Sequence, residues 1–233
     1  MLLAALAAFA GAAVQSASGL GFALVLSPAL FAVMDPEEAV TAVLLLGAAL
    51  CALVLVESHR VATHDLARLL VPAVPGLAVG VLVLAALSKE SLQVGVGAAV
   101  IAAAGWQLRH RAPVRIPAGT AGFLSGVLTT SISINGPPLA LWLESERVPP
   151  ASFRATLAAA FLLLDVAGVA LIVAREGADT VDLGSLGPLL ACVLAGYAIG
   201  AVAFGRLDAE RFSTVVLVLV ICTGLASVAA GLV

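Results

Sequence analysis

The chain has 233 residues, of which 62% are hydrophobic and only 11% are charged, and its mean hydropathy is +1.18. A soluble domain carries about 25% charged residues, so the composition excludes an ordinary soluble protein. It indicates an integral membrane protein with several spans of about 20 apolar residues. The lipid bilayer is therefore one expected partner. The net charge is −3 and the sequence contains no basic patch, so no nucleic-acid partner is expected.

The three cysteines favour neither a disulfide framework nor a metal site. Cys51, Cys192 and Cys222 all lie within apolar runs, where a cysteine behaves as a small core residue. We therefore expect no metal and no cofactor. The apolar start of the chain lacks the basic stretch of a signal peptide, and cleavage there would remove a polar motif described next, so we expect no cleaved leader.

The chain begins with a predicted interrupted helix. Residues 2–15 form an apolar arm, residues 15–21 form a polar and glycine-rich break, and residues 22–34 form a second apolar arm. An arm of about 13 residues spans only about 20 Å, short of the roughly 30 Å hydrocarbon core. This length predicts a re-entrant hairpin.

Three full spans are predicted to follow, at residues 39–56, 66–87 and 92–108. Pro36 and the acidic residues after it are typical of a helix start. The basic stretch at residues 109–115 is the predicted boundary between two halves of the chain.

The second half follows the same plan. Residues 116–128 form an arm, residues 129–138 a polar break and residues 139–143 a short returning arm, before predicted spans at 153–174, 183–204 and 212–233. Pro137 and Pro138 remove two backbone donors, and proline is poorly tolerated inside a helix. An interrupted helix at membrane depth must be buried in protein or line a watery cavity.

The two halves resemble each other residue by residue. An offset of 115 pairs small residues of the two breaks, and an offset of 120 pairs residues 76–80 with residues 196–200. The paired residues of the breaks are Gly11 with Gly126, Ser16 with Ser131, Ser18 with Ser133, and Gly21 with Gly136. We therefore predict two repeats, residues 1–112 and 113–233, within one membrane domain.

Basic residues distinguish two topologies. If every segment crosses the membrane, the eleven Lys and Arg residues divide six against five. If both broken segments turn back, they divide nine against two, with Lys89 and Arg175 alone on one face. We therefore predict an all-α polytopic membrane protein of two inverted repeats, each with one re-entrant hairpin and three transmembrane helices. Both termini are expected outside the cytoplasm.

The two breaks are the predicted substrate site. Helix N-termini offer free N–H groups and about half a positive charge, which suits an anion, and no Lys or Arg lies in either break. The alternative is that these small residues only let helices pack closely. The predicted substrate-binding residues are Gln15, Ser16, Ser18, Gly19, Gly21, Thr130, Ser131, Ser133, Asn135, Gly136 and Pro137.

Asp165 is the one ionisable residue deep inside a predicted span. Acids at this depth are costly and usually functional. We predict that Asp165 carries a coupling proton or hydrogen-bonds to Thr156 or to the broken segments. A purely structural acid is the alternative.

Three stretches of the sequence resemble the TauE/SafE family of sulfite and organosulfonate exporters. They are QSASGLGFALVLSPAL from residue 15, GFLSGVLTTSISINGPPLAL from residue 122, and FRATLAAAFLLLD from residue 153. The chain departs from the family's glycine-rich pattern at residues 129–133, and it has Asn135 where the family has the first glycine of GGPP. The resemblance implies a multi-pass protein of the bacterial inner membrane that exports sulfite, sulfoacetate or a related small anion, with the proton gradient as the expected driving force.

Other functions remain open at the level of sequence. An uncoupled anion channel, or a transporter of another small carboxylate or inorganic anion, would need a similar site. An enzyme is not expected, because no catalytic motif lies within the spans. A structural protein would not need two matched polar breaks. A homodimer is compatible with the sequence.

Overall fold

The computed structural model describes residues 2–57, 60–109, 116–177 and 183–204. Within these ranges the chain is helical. The helices are α1 (Leu2–Ser18), α2 (Phe22–Phe31), α3 (Pro36–Glu57), α4 (Thr63–Ala86), α5 (Lys89–Arg109), α6 (Ala118–Ile132), α7 (Gly136–Ser145), α8 (Pro150–Glu176) and α9 (Leu183–Phe204). The span predicted at 212–233 lies outside the described residues.

Within the described ranges, three helices are long and apolar enough to cross a membrane. They are α3, α4 and the Ser152–Glu176 part of α8, while α1, α2 and residues Leu186–Ala201 are shorter apolar helices. Large apolar side chains cover the outside of the molecule, and Val56 and Val71 are 73% and 72% exposed. Such a surface suits lipid, so the expected all-helical, multi-pass membrane architecture is confirmed.

The first break is shorter than predicted. Helix α1 continues to Ser18, so Gln15 and Ser16 are helical residues, and the chain leaves helical geometry only at residues 19–21. Gly19 and Gly21 have φ angles of 83° and 125°, which only glycine adopts readily. The turn is therefore made by two glycines and not by the whole polar stretch.

The second break is shorter too, since α6 continues to Ile132. The hydroxyls of Thr129 and Ser131 donate to the carbonyls of Ser125 and Val127, one turn earlier, and so are satisfied without ending the helix. The prediction of a break from residue 129 was wrong for this reason.

Helix α7 begins earlier than predicted. Pro137 and Pro138 lie in its first turn, where a missing N–H costs no helical hydrogen bond. The prolines therefore start the returning helix and do not belong to the break.

Helices α1 and α2 form a hairpin. The backbone of Phe22 lies against Gly11, where a Cβ atom would come within 2.9 Å of the Phe22 carbonyl oxygen. Gly11 lies about two turns before the end of α1. The chain therefore reverses at residues 19–21, and α2 returns along α1.

Helices α6 and α7 reverse in the same way. Ser125, about two turns before the end of α6, donates to the carbonyl of Asn135 at 2.9 Å. Near the end of α7, the Trp142 ring lies 5.1 Å from the Arg68 guanidinium. The neighbouring Leu69 carbonyl lies against Gly122, close to the start of α6. The end of α7 is thus level with the beginning of α6.

The long helices α3 and α8 run antiparallel. Gly47 of α3 lies opposite Asp165 of α8, and the earlier residue Leu44 lies opposite the later residue Gly168. Gly47 and Gly168 allow the two helices to approach closely at the centre of the molecule.

Helix α4 packs on α6 in parallel. The backbone at Gly76 meets the Phe123 carbonyl, and the backbone at Gly80 meets the Val127 carbonyl and the Thr130 hydroxyl. A Cβ atom at either glycine would overlap these backbone atoms. The glycines therefore set the distance between the two helices.

Helix α9 packs on α1 by the same arrangement. Gly196 meets the Phe9 carbonyl, and Gly200 meets the Ala13 carbonyl and the Ser16 hydroxyl. The fourth helix of each half of the chain, α4 or α9, thus packs against the first helix of the other half, α6 or α1.

Candidate functional site

A small central cavity lies between the two hairpins. Its volume is about 20 Å³, which is room for about one water molecule. The walls come from α1, the start of α2, the middle of α3, the second break and the middle of α8. The lining residues are Gln15, Phe22, Ala23, Val43, Leu44, Gly47, Ser133, Asn135, Phe161 and Asp165.

Gln15 connects three helices at this cavity. Its side-chain oxygen accepts a hydrogen bond from the Phe22 backbone N–H at 3.2 Å, and its Nε2 atom donates to the Cys51 sulfur at 3.3 Å. Gly21, the residue before α2, has no side chain to cap that helix. Gln15, which belongs to the neighbouring helix α1, therefore supplies the cap that Gly21 cannot provide.

Ser133 ends α6 with left-handed backbone geometry. Its φ angle is 62°, and its N–H and that of Ile134 bond back to the carbonyls of Thr129 and Leu128. These two bonds satisfy carbonyls at the helix C-terminus. The Ser133 hydroxyl lies 3.4 Å from the Val40 carbonyl and faces the cavity.

Asp165 is held by the second break. Its side chain is only 5% exposed, and its Oδ1 atom accepts a hydrogen bond of 2.9 Å from Asn135 Nδ2. The absent side chain at Gly47 leaves room for Oδ2, which would lie 2.8 Å from a Cβ atom there. The expected bond between Asp165 and a broken segment is therefore present. Thr156 is not a partner, since its hydroxyl instead accepts a bond from the Ala62 N–H.

Four of the predicted hydroxyls, those of Ser16, Ser18, Thr130 and Ser131, do not line the cavity. Ser16 and Ser131 donate to carbonyls of their own helices, Ala13 and Val127, and Thr130 donates across to the Leu77 carbonyl of α4. These groups fit the alternative of close helix packing.

Ser18 is the exposed last residue of α1. Its hydroxyl donates to the Val14 and Leu20 carbonyls and so stabilises the turn that Gly19 and Gly21 make. These glycines shape the first break without lining the cavity.

The two returning helices offer different donors to an anion. The first residues of α2, Phe22 and Ala23, line the cavity, and the first N–H groups of a helix lack partners within it. In α7, Pro137 and Pro138 have no N–H to offer. Gly136 lies against the Leu20 side chain. Only the first break therefore presents an ordinary helix N-terminus.

The apolar part of the cavity wall was missed by sequence reasoning. Val43, Leu44 and Phe161 lie in apolar runs, where nothing marks them as wall residues. Gly47 carried a weak signal as a glycine within a span. In the described ranges, no group of three His, Cys, Asp or Glu side chains could hold a metal ion.

Comparison with known proteins assigns the chain to a family. A family model described as the sulfite exporter TauE/SafE matches residues 3–227. No curated protein and no solved structure matches the chain. The match covers nearly the whole sequence, and members of the family are membrane transporters and not enzymes. The chain therefore belongs to the TauE/SafE family of sulfite exporters.

Proposed function

We propose that this protein is a secondary transporter that exports sulfite, sulfoacetate or a related organosulfonate across the bacterial inner membrane, and that the cavity between the two breaks is its substrate site. The observation that carries the proposal is the pair of Asn135 and Asp165 in the same cavity as Gln15 and the start of α2. The proposed anion site and Asp165, a group that can hold a proton, thus lie in the same cavity.

The donors at this site are uncharged. Gln15 supplies an amide, Ser133 a hydroxyl and Asn135 a second amide, and the α2 N-terminus adds a positive dipole end. Uncharged donors hold an anion without the strong attraction of a buried ion pair, so the anion can leave again. Because the cavity holds about one water, binding a sulfur oxyanion requires the surrounding helices to separate.

Asp165 is the proposed link to the proton gradient. An ionised carboxylate beside a bound anion repels it, and this repulsion is strong where water is excluded. A protonated Asp165 removes that charge and can donate a hydrogen bond. Anion binding and protonation of Asp165 therefore favour each other, so that the anion and a proton cross together and the pH on each side of the membrane acts on export through this residue.

Flux measurements in liposomes test the coupling. Wild-type protein should move sulfite faster when the pH is lower on the side that holds the sulfite, and Asp165→Asn should lose this response while it retains measurable flux. An unchanged response in Asp165→Asn would remove the residue from the mechanism. Wild-type flux that follows only the anion's own electrochemical gradient would indicate an anion channel.

A binding screen tests the substrate class. Thermal unfolding of the purified protein should shift upward with sulfite, sulfoacetate or another sulfonate, and less with simple carboxylates. Asn135→Ala should lose the shift. Ser88→Ala should keep it, because this change removes an exposed hydroxyl that does not line the cavity. A shift with carboxylates alone would replace the proposed substrate class.

Two contacts support re-entrant hairpins and inverted repeats. If the broken segment α6–α7 crossed the membrane, α3 and α8 would run parallel, whereas they run antiparallel at Gly47 and Asp165. With α6–α7 turning back, a crossing α1–α2 would make α1 and α9 antiparallel, whereas they run parallel at Gly196 and Gly200. Both pairs have the directions that two hairpins require. This topology and the distribution of basic residues favour termini outside the cytoplasm.

A further inference from the structure

Arg154 lies at the tip of the first hairpin. It belongs to the first turns of α8, and a Cβ atom at Gly19 would lie 3.2 Å from its Cγ atom. In the sequence, Arg154 counts among the basic residues that distinguish the two topologies, and no local pattern marks it as part of a site. The fold brings it from the second half of the chain to the break of the first half.

The guanidinium of Arg154 has buried nitrogen atoms that nothing in the described ranges satisfies. Its Nε and Nη2 atoms are shielded from solvent and form no hydrogen bond there. The ion pairs of the described residues join Lys89 to Asp35 and Arg175 to Glu176, and neither involves Arg154. A buried cationic donor without a partner is costly and calls for a ligand.

The surroundings of Arg154 are polar on one side. Tyr197 of α9 lies within electrostatic reach of Arg154 and of Glu57, the last residue of α3. The Tyr197 hydroxyl is 3.3 Å from the Leu53 carbonyl. Residues of α3, α8 and α9 thus come together near this guanidinium.

A continuous set of contacts leads from Arg154 to the central cavity. Arg154 lies against Gly19, and the next residue, Leu20, lies against Gly136. The ring of Phe161 approaches the same point at Gly136, within 3.4 Å of a Cβ atom there, and lines the cavity on its other side. Two apolar side chains, Leu20 and Phe161, therefore separate Arg154 from the cavity.

We infer that Arg154 forms a second, outer anion-binding site, in which its guanidinium holds a sulfite or sulfonate group before the anion passes Leu20 and Phe161 into the central cavity. A guanidinium presents parallel N–H donors that match two oxygens of such a group. Under the predicted topology this site opens to the cytoplasm, where an exporter collects its substrate. The substrate class and the side rest on the proposed function, whereas an oxyanion site at Arg154 does not.

Titration of transport with substrate tests this site. In liposomes, Arg154→Gln should raise the half-saturating sulfoacetate concentration about tenfold, because a charge-assisted contact is lost, with a smaller change in maximal flux. Arg154→Lys should lie between, since it keeps the charge but loses the paired donors. The matched control is Arg175→Gln, which removes an exposed arginine at the other end of the same helix and should leave the half-saturating concentration unchanged.

A binding measurement separates this proposal from the proposed function. Inorganic sulfate is the probe, and its effect on the unfolding temperature of the purified protein is compared for wild type, Arg154→Lys and Arg154→Gln. A shift that decreases from wild type to Arg154→Lys to Arg154→Gln supports an oxyanion site at Arg154. If wild type transports no sulfonate, that result contradicts the proposed function but not the oxyanion site. An equal shift in all three proteins, or an unchanged half-saturating concentration in Arg154→Gln, would overturn the site. If Arg154→Gln does not fold, Arg154→Lys decides by the same two measurements.

Discussion

At the scale of single residues, the cavity depends on a few backbone positions as much as on polar side chains. Ser133 ends α6 with a positive φ angle, and Gly47 leaves the space that the Asp165 carboxyl occupies. Both residues hold polar groups in place. Substitutions there separate the effect of shape from the effect of chemistry.

Ser133→Gly and Ser133→Ala should differ in stability but not in binding. Both remove the hydroxyl, while only alanine keeps a side chain in left-handed geometry, which costs about 1–2 kcal/mol. Ser133→Gly should therefore unfold at the higher temperature, and both variants should bind sulfite more weakly than wild type to the same degree. Thermal unfolding and a binding titration measure the two effects. Equal unfolding temperatures would show that residue 133 is not left-handed in solution.

Gly47→Ala should displace the Asp165 carboxyl. The new methyl group would lie 2.8 Å from Oδ2, so the side chain must rotate away from Asn135 and weaken their hydrogen bond. We expect a loss of about 1–2 kcal/mol in stability, and a weaker response of transport to pH. Gly95→Ala is the control, because a Cβ atom there meets nothing within 4 Å. If the two variants behave alike, Gly47 is not what makes room for Asp165.

At the scale of helices, glycines determine which elements can touch. The pairs α4–α6 and α1–α9 approach until a Cβ atom on one helix would overlap the backbone of the other. Close approach of this kind is how helices associate in lipid, where the hydrophobic effect between them is absent. The polar residues Ser16 and Thr130 lie at these same contacts, which explains why they do not line the cavity.

Gly76→Ala and Gly196→Ala should destabilise the protein to a similar extent. Each adds a methyl group against a backbone carbonyl, of Phe123 or of Phe9, and overpacking of this kind costs about 1–3 kcal/mol. Gly95→Ala again serves as the control. The yield of monodisperse protein and its unfolding temperature are the measurements. The helix pairs would not be in close contact if either variant matched the control.

At the scale of the whole molecule, the helix directions bear on the proposed membrane topology. The hairpins α1–α2 and α6–α7 reverse within the protein, and α3 and α8 run antiparallel between them. The cavity lies where both hairpins meet these two long helices. Movement of the hairpins relative to α3 and α8 would open it, because residues from all of these elements form its wall.

Cysteine labelling should place Arg60 and Arg147 on the same face of the membrane and Lys89 and Arg175 on the opposite face. Each position is replaced singly by cysteine, in a variant that lacks the natural cysteines, and is exposed to a membrane-impermeant thiol reagent from one side and then from the other. Labelling of residues 60 and 147 from opposite sides would contradict the hairpin topology.

The amount that sequence predicted differs between the fold and the site. The long apolar runs, the helix start at Pro36 and the two interruptions were all found, because they follow from composition and from local proline and glycine chemistry. The extent of each interruption was overestimated, since a hydroxyl such as that of Thr129 can bond within its helix as readily as it can mark a break.

The sequence by itself determined that this is a membrane protein, that two of its apolar segments are interrupted, and that Asp165 is buried. Each of these properties depends on the chemistry of a short stretch of chain. Tertiary structure alone decided which polar groups face the cavity. Gln15 faces it and its neighbour Ser16 does not, because that choice depends on how α1 is rotated against α9. Arg154 reaches the first break only through the packing of α8, a contact between distant parts of the sequence that no local pattern encodes.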